Sequence, residues 1–290
     1  MSIAVRIAIR YLLAKKSRNI INIIAWISVI GVMIGAFGLL IVLSVFNGLH
    51  DLVGSLYGSF DPDLKVTPRT GKVFSTDSIN YEGLVRIEGV DALTEALEDH
   101  TLFRFGKRQV PGLVLGVDDN FNKVSSIDSI IVEGESSLRD NVFNKGILGY
   151  ALADQLGYRL NFVTPLMLYT PERTKKINPA RPDQAFTSSY INPSGIFMVN
   201  QIDYDANYVI IHIDQARQML SYDTTIVSWL GIKLSDPLAG NGVKEEVKKT
   251  LGENFLVQNR EEQHETFYKM MAMEKLIAYL ILSFILLIAI

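Results

Sequence analysis

The chain has 290 residues, 48% of them hydrophobic and 20% charged, and its mean hydropathy is +0.20. That mean is too apolar for a water-soluble chain of this size unless the hydrophobic residues cluster, yet the charged fraction approaches the soluble average of about 25%. An aqueous domain carried on a few membrane helices is therefore expected. The formal net charge of −3 lacks the basic footprint of a nucleic-acid binder. Zero cysteines exclude disulfides, thiolate zinc sites, iron–sulfur clusters and a cysteine nucleophile.

Residues 1–18 hold five bases (Arg6, Arg10, Lys15, Lys16 and Arg18) and no acid. Ile3, Ile7 and Tyr11 share one helical face and Arg6 and Arg10 another, which predicts a cytoplasmic amphipathic helix on the inner leaflet. Residues 19–50, free of Asp, Glu, Lys and Arg, are predicted as the first transmembrane helix. Ile20–Phe46 alone makes about 40 Å of helix, beyond the roughly 20 residues a bilayer needs. A signal peptide has a shorter apolar core of about 7–15 residues. Gly31, Gly35 and Gly38, with Ala36, form a small-residue face suited to close packing against another helix.

Residues 51–270 carry 22 basic against 30 acidic residues, a net −8 that suits a domain carried across the membrane. Hydrophobic alternation predicts strands at Asp63–Thr67, Ala92–Leu97, Thr101–Phe105 and Gln109–Val117, the last on an edge because of Pro111. A helix over Ser78–Ile87 is expected, capped from Ser75-Thr76-Asp77. Gly146–Gly149 reads as a strand entering a helix, Tyr150–Leu156, that stops at Gly157. Strands follow at Leu166–Tyr169, Gly195–Gln201 and Tyr208–Ile213, then a helix, Asp214–Leu220, with Asp214 as its N-cap. Trp229–Leu234, Val243–Leu251 and Phe255–Gln258 read as strand, helix and strand. The expected fold is thus a membrane protein of transmembrane α-helices plus a large α+β periplasmic domain. Its two subdomains are a discontinuous one (51–130 and 227–262) and an inserted one (131–226).

Thr170–Tyr190 stands apart, with Pro171, Pro179 and Pro182 and little alternation. Arg173, Lys175, Lys176 and Arg181 face only Glu172 and Asp183, a local +2 within the net −8. A partner-docking hairpin built on Arg173, Lys175, Lys176, Pro179 and Arg181 and a mobile surface loop both fit this composition. At the far end Leu276–Ile290 is a run of 15 uncharged residues. That is about 22 Å of helix against a hydrocarbon core of about 30 Å. Residues 271–290 are therefore read as the start of a second transmembrane helix inside which the chain stops.

Catalytic signatures are missing. His50, His100, His212 and His264 are far apart, and His264-Glu265 continues as TFYK rather than into H-E-x-x-H. Neither G-x-S-x-G nor G-x-x-x-x-G-K-[ST] occurs. Asp118-Asp119, Glu245-Glu246 and Glu261-Glu262 read as solvated faces, although Asp118-Asp119 offers a cation two carboxylates without further ligands. No catalytic, cofactor-binding or metal-ligating residue is assigned.

Several runs resemble one family. AWISVIGVMIGAFGLLIVLSVFNGL (Ala25–Leu49) and the preceding RYLLAKKSRN (Arg10–Asn19) resemble the first transmembrane helix of the lipoprotein-releasing (Lol) ABC permeases. ETFYKMMAMEKLIAYLILSFILL (Glu265–Leu287) is similar to the approach to their second helix, with Met273-Glu274-Lys275 matching an M-E-K motif. VLGVDD (Val114–Asp119) and GILGYALADQLG (Gly146–Gly157) resemble segments of their periplasmic domain. The resemblance implies a multi-pass inner-membrane permease of the mechanotransmitting superfamily that also holds macrolide-efflux and cell-division permeases. It implies a separate cytoplasmic ATPase subunit, a second permease copy or paralogue, a lipoprotein substrate and a periplasmic carrier. The family's carrier-docking hairpin falls at Thr170–Tyr190, where this chain is longer and more basic than better-known members. A non-transporting subunit regulating a periplasmic cell-wall hydrolase, and an efflux permease, are the alternative functions.

Overall fold

The computed structural model describes residues 3, 7, 19–58, 60–139, 144–160, 164–173, 185–236 and 240–289. The chain divides into two compact units, Met1–Leu52 with His264–Ile290, and Val53–Gln263. The amphipathic helix expected over 1–18 lies outside the described residues except at Ile3 and Ile7.

In chain order the elements begin with α1 (Asn19–Gly58), β1 (Leu64–Pro68), β2 (Phe74–Ser75), α2 (Tyr81–Val85), β3 (Val90–Phe105) and β4 (Arg108–Val117). There follow α3 (Phe121–Val124), β5 (Ile131–Gly134), β6 (Lys145–Gly149), α4 (Tyr150–Leu156), β7 (Leu166–Pro171) and β8 (Phe186–Phe197). Next come α5 (Ile202–Asp205), β9 (Tyr208–His212), α6 (Ile213–Leu220), β10 (Ile226–Val227) and β11 (Trp229–Leu234). The last are α7 (Gly240–Leu251), β12 (Phe255–Asn259), α8 (Arg260–Gln263) and α9 (Glu265–Ala289).

In the first unit, Ile23–Leu49 of α1 is a 27-residue stretch of mean hydropathy 2.7, long and apolar enough to cross a membrane. Among the described residues it is the one helix that meets both conditions. A second span, expected to start over 271–290, is not shown among the described residues. Apolar side chains stand exposed right around α1, as on a helix whose solvent is lipid. The helix also runs past the expected limit at His50 to Gly58, because nothing before Gly58 and Pro62 breaks it.

The second unit is built on a ten-stranded mixed sheet in the order β12-β1-β11-β3-β4-β9-β6-β8-β5, with β7 pairing both β3 and β8. Strands from the stretches before 118 and after 226 make one half of it, and strands from 131–212 make the other. The halves meet at two places: β4 runs parallel to β9, from Leu113↔Tyr208 to Val117↔His212, and β3 pairs antiparallel with β7, from Leu102↔Tyr169 to Arg104↔Met167. Leu97, Phe103, Val114, Leu148, Leu168, Ile191 and Ile211 fill the core. α4 contributes Leu152 and Leu156, and α6 contributes Ala216 and Leu220. Gly116 lets α6 lie on β4, since a Cβ there would collide with that of Ala216. Gly157 closes α4 in the left-handed region at φ +68°, the stop expected from the sequence.

Several elements differ from expectation. Ala92–Leu97 and Thr101–Phe105 are one strand, because the polar residues between them keep the ladder, Asp99↔Val114 and His100↔Leu113. Pro111 lies on a central strand but before the β9 pairing starts at Leu113, so its missing N–H breaks no bond on that side. The helix expected over Ser78–Ile87 shrinks to α2, capped by Asn80, whose Oδ1 accepts the Gly83 N–H at 2.9 Å. Ser75 instead caps a separate 3₁₀ turn, Thr76–Ser78. β8 starts at Phe186 rather than Gly195 and ends at Phe197, because the Thr-Ser-Ser-Tyr-Ile run pairs with β7. His212, not Asp214, is the N-cap of α6, its Nδ1 accepting the Asp214 N–H at 3.1 Å.

Candidate functional site

Strands β7 and β8 form an antiparallel hairpin, in register from Leu166↔Ile191 to Pro171↔Phe186. Alternation sends Leu166, Leu168, Thr170 and Ile191 into the core. The opposite face presents Met167, Tyr169, Phe186 and Tyr190, and both Phe186 and Tyr190 are 51% exposed. Sequence reading missed this aromatic face because it weighed Thr170–Tyr190, as docking hairpin or surface loop, by its charges and prolines alone. The signal was there: Phe186, Ser188 and Tyr190 share one parity and Thr187, Ser189 and Ile191 the other.

Arg173, the first of the sequence-predicted docking residues, is held inside the chain. Its guanidinium pairs with Asp99 of β3 and donates to the Tyr222 hydroxyl. It also lies 4.6 Å from the Tyr222 ring centroid. Burial pushes its pKa below the usual arginine value. Glu172 accepts the Thr187 hydroxyl at 3.0 Å across the hairpin. Lys175, Lys176, Pro179 and Arg181 lie outside the described residues.

Beside Asp99 runs a groove of about 290 Å³ whose lining includes Lys65, Lys72, His100 and Trp229. The Lys65 ammonium sits 4.7 Å from the Trp229 ring centroid. Glu98, also in the lining, accepts the Tyr208 hydroxyl at 3.0 Å and the Trp229 indole N–H at 3.3 Å. Burial and that carboxylate push the Tyr208 hydroxyl far up.

The remaining ionisable clusters are structural. Arg139 lies 2.7 Å from His212 Nε2 and pairs with Asp119 at 3.4 Å and Asp214 at 3.1 Å. Burial and Arg139 lower the His212 pKa against the opposing pull of the aspartates. Asp118, expected in a solvated face, is half-buried, accepts the Thr94 hydroxyl and the Asn120 N–H, and has its pKa raised by burial. Glu262 is exposed, as expected, and pairs with buried Lys244 at 2.6 Å. Among the described residues no three or more His, Cys, Asp or Glu side chains are grouped to hold a metal.

On α1, Gly35 is buried and Gly31 and Gly38 are half-buried. A Cβ on Gly38 would touch Leu282 of α9 at 3.6 Å, and Lys275 donates to Asn47 Oδ1 at 3.4 Å. The helix beside Gly38 therefore belongs to the same chain.

Residues 25–250 match the family model described as MacB-like periplasmic core domain. The chain belongs to that family. It is 22% identical over 289 residues to the lipoprotein-releasing system transmembrane protein LolC of Xylella fastidiosa (strain Temecula1), covering 98% of this chain and 66% of that protein. Against the LolC of Neisseria meningitidis serogroup B it is 28% identical over 250 residues, covering 80% and 54% respectively. The chain thus spans between about half and two thirds of these curated relatives. Among solved structures, it is similar to the extracellular domain of the ABC-type transporter YknZ from Gram-positive bacteria. The TM-score there is 0.46 at 14% identity, over 68% of this chain and 99% of that one. The periplasmic region of MacB from Actinobacillus actinomycetemcomitans gives a TM-score of 0.47 at 11% identity, over 73% and 95%. The resemblance to Lol permeases read from Ala25–Leu49 and Glu265–Leu287 agrees with the LolC relatives, and the family's MacB-like core domain covers most of the chain.

Proposed function

We propose that this chain is a multi-pass permease subunit of an ABC transporter in the bacterial inner membrane, with 53–263 in the periplasm. It releases lipoproteins to a periplasmic carrier, ATP is hydrolysed by a separate cytoplasmic subunit, and a second permease copy or paralogue completes the membrane part. The single observation that carries the reading is the MacB-like core domain match joined to the apolar stretch Ile23–Leu49. The LolC names of the relatives supply lipoprotein release as the transport reaction. The carrier docks on the β7–β8 hairpin. Tyr190 and Phe186 supply its apolar contact, and Lys175, Lys176 and Arg181 steer an acidic carrier toward it.

Depletion of the protein in its own cells tests the reading. Lipoproteins should accumulate in the inner membrane, and a variant with Lys175, Lys176 and Arg181 all changed to Glu should restore release less well than wild type. Unchanged lipoprotein distribution on depletion overturns the release reading. Normal rescue by the triple variant overturns the docking role of these bases.

A further inference from the structure

The four residues Phe60-Asp61-Pro62-Asp63, directly after α1, are held more heavily than a connector requires. Phe60 is 4% exposed, and its ring centroid lies 4.4 Å from that of Tyr204, 5.7 Å from Tyr208, 5.8 Å from Phe197 and 6.3 Å from Phe121. Those four rings come from α3, the end of β8, α5 and β9, and three of these elements follow residue 131. Asp61 is buried and accepts the Tyr204 hydroxyl on both oxygens, at 2.9 and 2.8 Å.

Asp63 is buried too, and its partners come from the other half of the sheet. It accepts the Leu234 N–H of β11 at 2.9 Å and pairs with Arg260 at 2.9 Å and Lys233 at 3.4 Å. The same Arg260 guanidinium donates to the Gly58 carbonyl at 3.2 Å, where the open end of a helix favours a cation. Gly58 leaves room for it, since a Cβ would lie 2.8 Å from Arg260 Nη1. Gln263 donates to the Pro62 carbonyl at 3.1 Å. α8, which carries Arg260 and Gln263, is fixed in turn. Asn259 Oδ1 accepts the Glu262 N–H, Glu262 accepts the Asn259 N–H, and Lys244 binds Glu262.

We infer that Phe60–Asp63, with Arg260, is a mechanical joint that fixes the last turn of α1 to both halves of the sheet at once. An apolar plug seats in the half that carries the docking hairpin, and a buried carboxylate latches the half that carries β1, β11 and β12. Two buried carboxylates on one short segment are costly to place and strongly destabilising to unpair, so the segment has one well-defined seat. A displacement at Gly58 therefore reaches Phe60 and Asp63 together. The joint stands on these contacts alone. Its use in moving the docking hairpin rests on the permease reading above.

Hydrogen exchange of the full chain in detergent micelles, read by mass spectrometry, tests the joint. Phe60→Ala should speed exchange about tenfold in 53–58 and in 231–234 as well as in 197–208, because one seat governs all three. Asp63→Asn should speed 53–58, 231–234 and 202–206, and exchange in the β7 core at 166–168 should not change in either variant. Acceleration confined to the half in which the lost contact lies, or none in 53–58, overturns the joint. If Phe60→Ala loosens the whole domain, Tyr204→Phe decides. It deletes one hydroxyl and keeps the ring, and it should still speed 53–58. An unchanged 53–58 in that variant counts against the joint. None of these outcomes depends on lipoprotein release, which the depletion experiment judges separately.

Discussion

α1 and β3 both carry large apolar side chains and treat them in opposite ways. Along α1 the large apolar side chains stand open, Phe37 at 64% and Ile34 at 63% exposure, while on β3 Leu97 and Phe103 are fully buried. The difference is one of partner. A strand gains its stability by hiding one face against helices and neighbouring strands. A long helix that is apolar all round finds no such cover and needs a solvent of its own kind.

The sharpest way to break this comparison is to remove a large side chain from each region. Phe103→Ala should destabilise the domain by about 3–5 kcal/mol, whereas Phe37→Ala should leave the same denaturant-unfolding midpoint in place. A loss of similar size at Phe37 would mean that its ring packs on protein.

Charge distinguishes two exposed isoleucines next. Ile34→Arg on α1 should raise the insertion cost by about 2.5–3.5 kcal/mol, read as a fall in the membrane-integrated fraction. Ile202→Arg on α5, 70% exposed, should stay within about 0.5 kcal/mol of wild type in unfolding. Equal insertion of wild type and Ile34→Arg would remove α1 from the membrane.

A smaller effect comes from pH in the sheet domain. Folding lowers the His212 pKa, so the unfolded chain binds the proton more readily. The stability that His212 contributes is complete above the unfolded value of about 6.5 and is lost as pH falls through the lower folded value. His212→Asn keeps an N-cap for α6 and removes the titrating ring, so unfolding curves at pH 5 and pH 7.5 should differ less than in wild type. An unchanged difference assigns the acid sensitivity elsewhere.

Topology gives the finest test, since it changes no stability. The chain has no cysteine of its own, and Lys123 on α3 is exposed. Lys123→Cys should react with an impermeant thiol reagent in intact spheroplasts. Labelling only after lysis would place the domain on the cytoplasmic side.

Legibility varied with the range of the interaction. The β6–α4–Gly157 run was read residue for residue, because a buried strand, a helix period and a left-handed stop are all local signals. The hairpin was half legible. Its base Arg173 was noticed for charge, but its commitment to Asp99 and Tyr222 depends on residues 74 and 49 positions away. The aromatic face of β8 was hidden because Ser188 and Ser189 look like loop residues until β7 pairs with them. Asp118 was read in a solvated face and His212 was given no role, yet Asp118 holds the turn after β4 and His212 caps the helix after β9.

By itself the sequence determined where the apolar helix lies, that the domain between the two apolar ends is acidic, and that neither G-x-S-x-G nor G-x-x-x-x-G-K-[ST] occurs. These are properties of composition and short periods, and they survive without a fold. Only the tertiary structure decided that Phe60 is a plug rather than a linker residue. It also decided that Arg260 closes the end of a helix some 200 positions earlier, donating to Gly58 at |i−j| = 202. The physical reason is that a buried ring or carboxylate acquires its meaning from the partners that desolvate and pair it. Here those partners lie far apart in the chain and are brought together only when distant strands pair in one sheet.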